Sequence, residues 1–138
     1  MNADNAILWP MGALVALTFA VLLLVPIRRF RAAFARQVTA ADFRYGESAN
    51  VPGDVAIPNR NYMNLLESPV LFYVACLTVY VTHRVDTVFV ALAWIYVAAR
   101  AAHSVVHLTY NNVMHRLAFF GAGLLVLIAM WARFFLIL

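Results

Sequence analysis

The chain has 138 residues, 65% of them hydrophobic and only 12% charged, with a formal net charge of +4 and a mean hydropathy of +0.83. Soluble domains carry roughly a quarter charged residues, so this composition excludes one and points to an integral membrane protein with no expected nucleic-acid partner. A single cysteine, Cys76, excludes an internal disulfide, and all ten basic residues are arginine, which carries no functional message by itself.

In chain order, the first apolar run extends from Ile7 to Ile27, flanked by Pro10 and Pro26. Its only early charge is Asp4, and its basic residues follow rather than precede it, unlike a cleaved signal peptide, so it is expected to stay as the first membrane helix. A polar segment from about Arg28 to Asn59 comes next. Its start continues the helix, and Tyr45-Gly46-Glu47-Ser48 and Val51-Pro52-Gly53-Asp54 then signal turns. Further apolar runs cover Tyr62 to Thr82, Thr87 to Tyr110 and Leu117 to Leu138, each close to the ~20 residues that cross a bilayer. With their polar flanks, helices are expected over about 7–31, 60–83, 87–110 and 114–137, an all-α bundle of four transmembrane helices forming one domain over 1–138. Pro69 predicts a kink in the second helix, Gly121 and Gly123 permit close approach of the fourth, and Trp9, Tyr80, Tyr110 and Trp131 fit interfacial belts.

Two of these runs carry charge where lipid would not tolerate it. Arg60, Asn64 and Glu67 recur at i, i+4 and i+7, and Arg100, His103 and His107 at i, i+3 and i+7, so each trio shares one helix face. An ionised side chain at bilayer depth costs a few kcal/mol even on lenient scales and is presumed to have a partner and a task. Arg28, Arg29, Arg31, Arg36 and Arg44 precede the second helix, against Arg84 and Arg133 on the other side. The positive-inside rule therefore puts the long loop in the cytoplasm and both termini outside, as in a multi-pass protein of a bacterial inner membrane. Both stripes, with His115 and Arg116, then fall in the cytoplasmic leaflet, and Glu67 lies roughly 10 Å beyond Arg60.

Such a set suits a ligand with two carboxylates, an ammonium and a thiol, as in glutathione. Arginine forks pair with carboxylates, Glu67 suits the ammonium, Asn64 can both give to and accept from a peptide group, and a nearby cation stabilises thiolate. Lipophilic second substrates could enter from the bilayer.

The run Arg60-x-x-x-Asn64-x-x-Glu67 resembles the signature of the MAPEG family, membrane-associated proteins in eicosanoid and glutathione metabolism, here of bacterial type. The likeness extends over four spans, the Arg-Arg-Phe-Arg that ends the first helix, and Arg100-x-x-His103 in the third. It implies a homotrimer with glutathione as cosubstrate between helices one and two of one protomer and helices of its neighbour. Arg60, Asn64, Glu67, Arg100, His103 and His107 would contact it. Arg116 would stabilise the thiolate, and Arg29 or Arg31 would correspond to the basic residues ending helix one. The implied activity is glutathione transfer or peroxide reduction on lipophilic electrophiles. The alternative is a non-catalytic lipid- or glutathione-binding scaffold. One departure is His107, which stands where eukaryotic relatives carry tyrosine.

Blander readings of the same residues stay open. Glu67 paired with Arg100 or Arg60 would be interhelical glue, and His103, His107 and Glu67 could form a two-His-one-carboxylate metal site, although the surrounding arginines oppose a cation. Cys76 reads as a small buried hydrophobe.

Overall fold

The computed structural model describes residues 3–138. A 3-10 turn, Ala3–Ile7, leads into α1, Leu8–Phe34, and after a loop with a second 3-10 turn, Ala40–Phe43, the chain forms α2, Gly53–Leu66, α3, Ser68–Val81, α4, Thr87–Leu108, and α5, Val113–Leu136. The described residues contain no strand. Four helical stretches, Asp4–Phe34, Gly53–Val81, Thr87–Leu108 and Val113–Leu136, are long and apolar enough to cross a membrane, with α2 and α3 together making the second.

Polar ties show which ends meet. Tyr80 Oη donates to Asn5 Oδ1 at 3.4 Å, His83 Nδ1 lies 3.1 Å from Asp4 Oδ2, and Arg84 Nη1 donates to the Ile137 carbonyl at 2.9 Å. The start of the chain, the α3–α4 connection and the end of α5 therefore share one end of the bundle, the terminal end. At the opposite, loop end, Arg29 pairs with Glu47 at 3.1 Å and Arg28 approaches Asp54 to 3.9 Å, tying the last turns of α1 to the loop and to α2.

The core between the spans is apolar and close-packed. Leu14, Val21, Leu65, Leu127 and Met130 are buried in it, and Phe72 stacks on Tyr96 with ring centroids 4.5 Å apart and planes 12° from parallel. Cys76 lies in the same core, 0% exposed. Phe19, Leu23, Ile27, Leu125 and Ile128 point outward. In water that surface would drive association, whereas among acyl chains an apolar exterior is the ordinary condition of a spanning bundle.

The second span departs from the sequence expectation at both ends of its polar stripe. Helix begins at Gly53, two turns before Arg60, because Val55 packs on Ala32 and Val38 in a small satellite cluster and burial outweighs the loss of one N–H at Pro58. It then breaks at Glu67, whose ψ of -102° belongs to no helix, and restarts with Pro69 in its first turn. Pro69 was expected to kink the span, and the result is two 14-residue helices in series.

Two side-chain caps fix where the later helices begin. Asp86 Oδ1 accepts from the Phe89 N–H at 2.8 Å at the start of α4, and Asn112 Oδ1 accepts from the N–H groups of Met114 and His115 at 3.0 and 3.1 Å at the start of α5. The second cap places Arg116 in the opening turn of α5, facing the last turns of α4.

Candidate functional site

The break at Glu67 interrupts the backbone ladder one turn beyond Asn64. A carbonyl left without its i+4 donor in a membrane must find another. Asn64's carbonyl accepts from Arg100 Nη2 at 2.7 Å, so the buried guanidinium of α4 is anchored on the backbone of the second span. Arg100 also lies 5.5 Å from the centroid of the Phe120 ring on α5, a cation-π contact that links the third element.

One turn further along α4, His103 Nδ1 is 3.1 Å from the Arg116 carbonyl. His107 follows, its ring edge-on to that of His103 with centroids 5.7 Å apart. Arg116 donates through Nη1 to Asn111 Oδ1 at 2.8 Å. Asn64, His103, Arg116 and Phe120, with Val113 and Leu117, line a cavity of about 240 Å3.

What marks this cluster is its surplus of unpartnered polar nitrogens, four of which, on Asn61, Arg100 and Arg116, are donors in any state. Buried side-chain nitrogens without a protein partner include Asn61 Nδ2, Arg100 Nε and Nη1, His103 Nε2, His107 Nδ1 and Arg116 Nε, six atoms within a few turns of three helices. Each buried donor left unpaired costs about 1–3 kcal/mol. No carboxylate answers them: among the described residues no ion pair joins Glu67 to Arg60 or Arg100. The interhelical-glue reading of Glu67 therefore has no contact in its favour within one chain. Nor do any three His, Cys, Asp or Glu side chains gather as a metal site would require among the described residues. Chemically the arrangement can receive an acceptor-rich, anionic group.

Asn64, His103 and Arg116 are brought together at the cavity, with Arg100 behind them and His107 buried beside His103. Arg60 and Glu67 lie on the exposed face of the second span, and Asn64 Nδ2 donates back to the Arg60 carbonyl at 3.0 Å. Arg29 and Arg31 do not line this cavity: Arg29 is held by Glu47 beside a different groove, and Arg31 is exposed.

Four participants were not singled out from sequence. Asn61 is fully buried and accepts from Ser104 Oγ at 3.3 Å, Asn111 holds Arg116, and Phe120 underlies Arg100. A signal existed for two of them, since Ser104 is Arg100 plus four and Phe120 is Arg116 plus four, each one helical turn along the same face.

The MAPEG family model matches residues 7–136, almost the whole chain. No curated protein and no solved structure gives a significant match.

Proposed function

The chain belongs to the MAPEG family, and from that premise we propose that it binds glutathione at the loop-end cavity and uses its thiol on lipophilic electrophiles, as a transferase or peroxidase. The observation that carries this reading is the set of six unpartnered nitrogens around Asn64, Arg100, His103 and Arg116. Two carboxylates and two peptide carbonyls of glutathione are the acceptors such a set lacks.

The roles follow from chemistry and position. Arg116 sits at the rim with Nε free, where a guanidinium stabilises thiolate over thiol and leaves the sulfur ready to form a bond to an electrophilic carbon or oxygen. Asn64 addresses the peptide backbone, His103 adds a donor or acceptor, and Glu67 takes the ammonium. Arg100 is 1% exposed, so its contribution is mainly to hold the Asn64 backbone in place and to set a positive potential behind the ligand.

A single chain offers an incomplete site. Its cavity of about 240 Å3 falls below the roughly 300 Å3 at which drug-sized pockets begin. Arg60 and Glu67 are exposed on a membrane-spanning element, where facing lipid would be costly. Covering them with a second copy would remove that cost and enlarge the pocket, which supports glutathione held between protomers of an oligomer, the homotrimer that the family resemblance implies. The clustered loop arginines support a cytoplasmic loop end with both termini outside, and a bacterial inner membrane is the proposed location. A non-catalytic lipid- or glutathione-binding scaffold is the alternative, favoured by His107, a buried imidazole in place of the tyrosine of eukaryotic relatives.

The deciding experiment is a glutathione titration of purified protein, followed by calorimetry and by thiolate absorbance at the ultraviolet edge. Saturable binding with a rising thiolate band is the expected result. Binding without the band would favour the scaffold, and the absence of binding would overturn the glutathione reading and leave only the lipid-binding scaffold.

A further inference from the structure

A second concavity lies apart from the donor cluster. Val25, Pro26, Arg29, Phe30 and Ala33 on α1 form one wall, Val38, Thr39, Ala40 and Phe43 of the loop form the other, and about 530 Å3 lies between them. Because Val25, Arg29 and Ala33 are spaced by four, the groove runs parallel to the α1 axis. Its position along that axis is informative. At 1.5 Å per residue, Val25 is roughly 26 Å from Leu8 and Ala33 roughly 38 Å, so with a hydrocarbon core of about 30 Å the groove straddles the level at which acyl chains give way to headgroups. Its deeper part is apolar, and its outer part holds Arg29 and Thr39.

The charge around the mouth is one-sided. Residues 28–54 carry five arginines against three carboxylates. Asp54 is near Arg28, Glu47 is on Arg29, and Asp42 is occupied by Thr39 and Ser48, whose hydroxyls donate to it at 2.9 and 2.8 Å. Arg31, Arg36 and Arg44 have no carboxylate within ion-pair distance among the described residues. Arg36 caps α1 in a left-handed conformation, φ 56°, between wall residues Ala33 and Val38, and Arg44 directly follows Phe43. Arg29 itself keeps one buried donor, Nε, without an acceptor, although its guanidinium lies over Phe43 with 4.5 Å to the ring centroid.

The geometry points to a binding site for an anionic phospholipid, one acyl chain lying in the α1–loop groove and the phosphate headgroup at the arginines of its mouth. An apolar slot parallel to the membrane normal fits a chain, and an unneutralised arginine rim fits a negative headgroup. The two cavities share no lining residue, so the two readings are tested separately, with Arg29 the one groove residue that the family resemblance also offers to the glutathione site.

The test is native mass spectrometry of the full chain in detergent, titrated with phosphatidylglycerol and with phosphatidylcholine of equal chain length. Phosphatidylglycerol should bind more tightly, on the order of tenfold. Arg36→Gln combined with Arg44→Gln should remove that preference while leaving phosphatidylcholine binding as it was. Ala33→Trp and, separately, Ala40→Trp should plug the slot and weaken both lipids, whereas Ala122→Trp on the exposed face of α5 should change neither. Equal affinity for the two lipids, or a preference that survives both plugging variants, overturns the proposal. So does a change of oligomeric state in Ala40→Trp without change in lipid binding, which would assign the groove to a second copy of the chain.

Discussion

The terminal end of this bundle and the α2–α4–α5 cluster near its loop end handle charge in opposite ways. At the terminal end Arg133 pairs with Asp86 and lies 5.2 Å from the Phe89 ring centroid, Arg84 caps the carbonyl of Ile137, and His83 meets Asp4. Each group there finds a counterpart within the same protomer, Arg133 Nε apart. At the loop end Arg100, His103 and Arg116 bond to backbone carbonyls or an amide oxygen, never to a carboxylate, and retain four idle nitrogens between them. Polar residues that close on themselves stabilise a fold, and polar residues left open await something from outside it. The contrast separates arginines paired within the protomer from those proposed to bind a ligand, where composition alone treats them alike.

The sharpest way to break the comparison is at Arg116. Arg116→Ala should lower turnover by about 10²–10³-fold, the usual loss when a preorganised cationic or hydrogen-bonding stabiliser is removed. It should abolish the thiolate band while glutathione affinity by calorimetry stays within about threefold. A variant with parental absorbance and turnover would reassign the residue to the structural group. Glu67→Gln comes next. Losing a charge-assisted bond worth about 1.5–3 kcal/mol should weaken glutathione binding by roughly tenfold to a hundredfold, and unchanged affinity would return Glu67 to packing.

At the other end the signs reverse. Asp86 is partly desolvated, which raises its pKa, but the Phe89 N–H and the Arg133 guanidinium outweigh this and leave it below the ordinary carboxylate value. A lowered folded-state pKa gives stability that is present above the unfolded value and lost as pH falls through the folded one. Asp86→Asn keeps the helix cap and loses only the charge, so it should lower thermal stability in detergent by up to about 1 kcal/mol at neutral pH. The gap from the parent should close on acidification, with glutathione affinity untouched throughout. A gap that persists at low pH would place the effect in packing. The smallest effect is expected at Gly123, where an added Cβ would meet Ala99, Arg100 and Tyr96 at 3.7 Å, ordinary contact. Gly123→Ala should be neutral or stabilising by less than about 1 kcal/mol, and a large loss would mean that α4 and α5 approach more tightly than this.

The four spans were legible because long apolar runs permit little else, and the stripe on α4 because helical spacing carried through unbroken from Arg100 to His107. The stripe on the second span was legible as residue types but not as geometry. Its i, i+4, i+7 pattern assumes one continuous helix, and the helix breaks at Glu67 itself, so the span continues from there as a second helix. Arg100's anchor was beyond reach for a related reason: its acceptor is a backbone carbonyl, which no side-chain pattern announces. Helix ends were concealed too. α1, α3 and α4 end in left-handed Arg36, His83 and Asn111, where glycine would have been the usual sign. The loop's contribution depended on Glu47 reaching Arg29 across 18 residues, a contact made by folding rather than by local spacing.

Cys76, sealed at the centre of the apolar core, leaves the outer surface of this protein free of native thiols. A cysteine introduced at any outward position is thereby the sole accessible one, and a membrane-impermeant maleimide applied first from one side and then from the other reads which compartment that position faces. Replacing Ala49 in the long loop and Thr82 at the far end, one at a time, would assign both faces of the bundle without first having to remove the natural sulfhydryl.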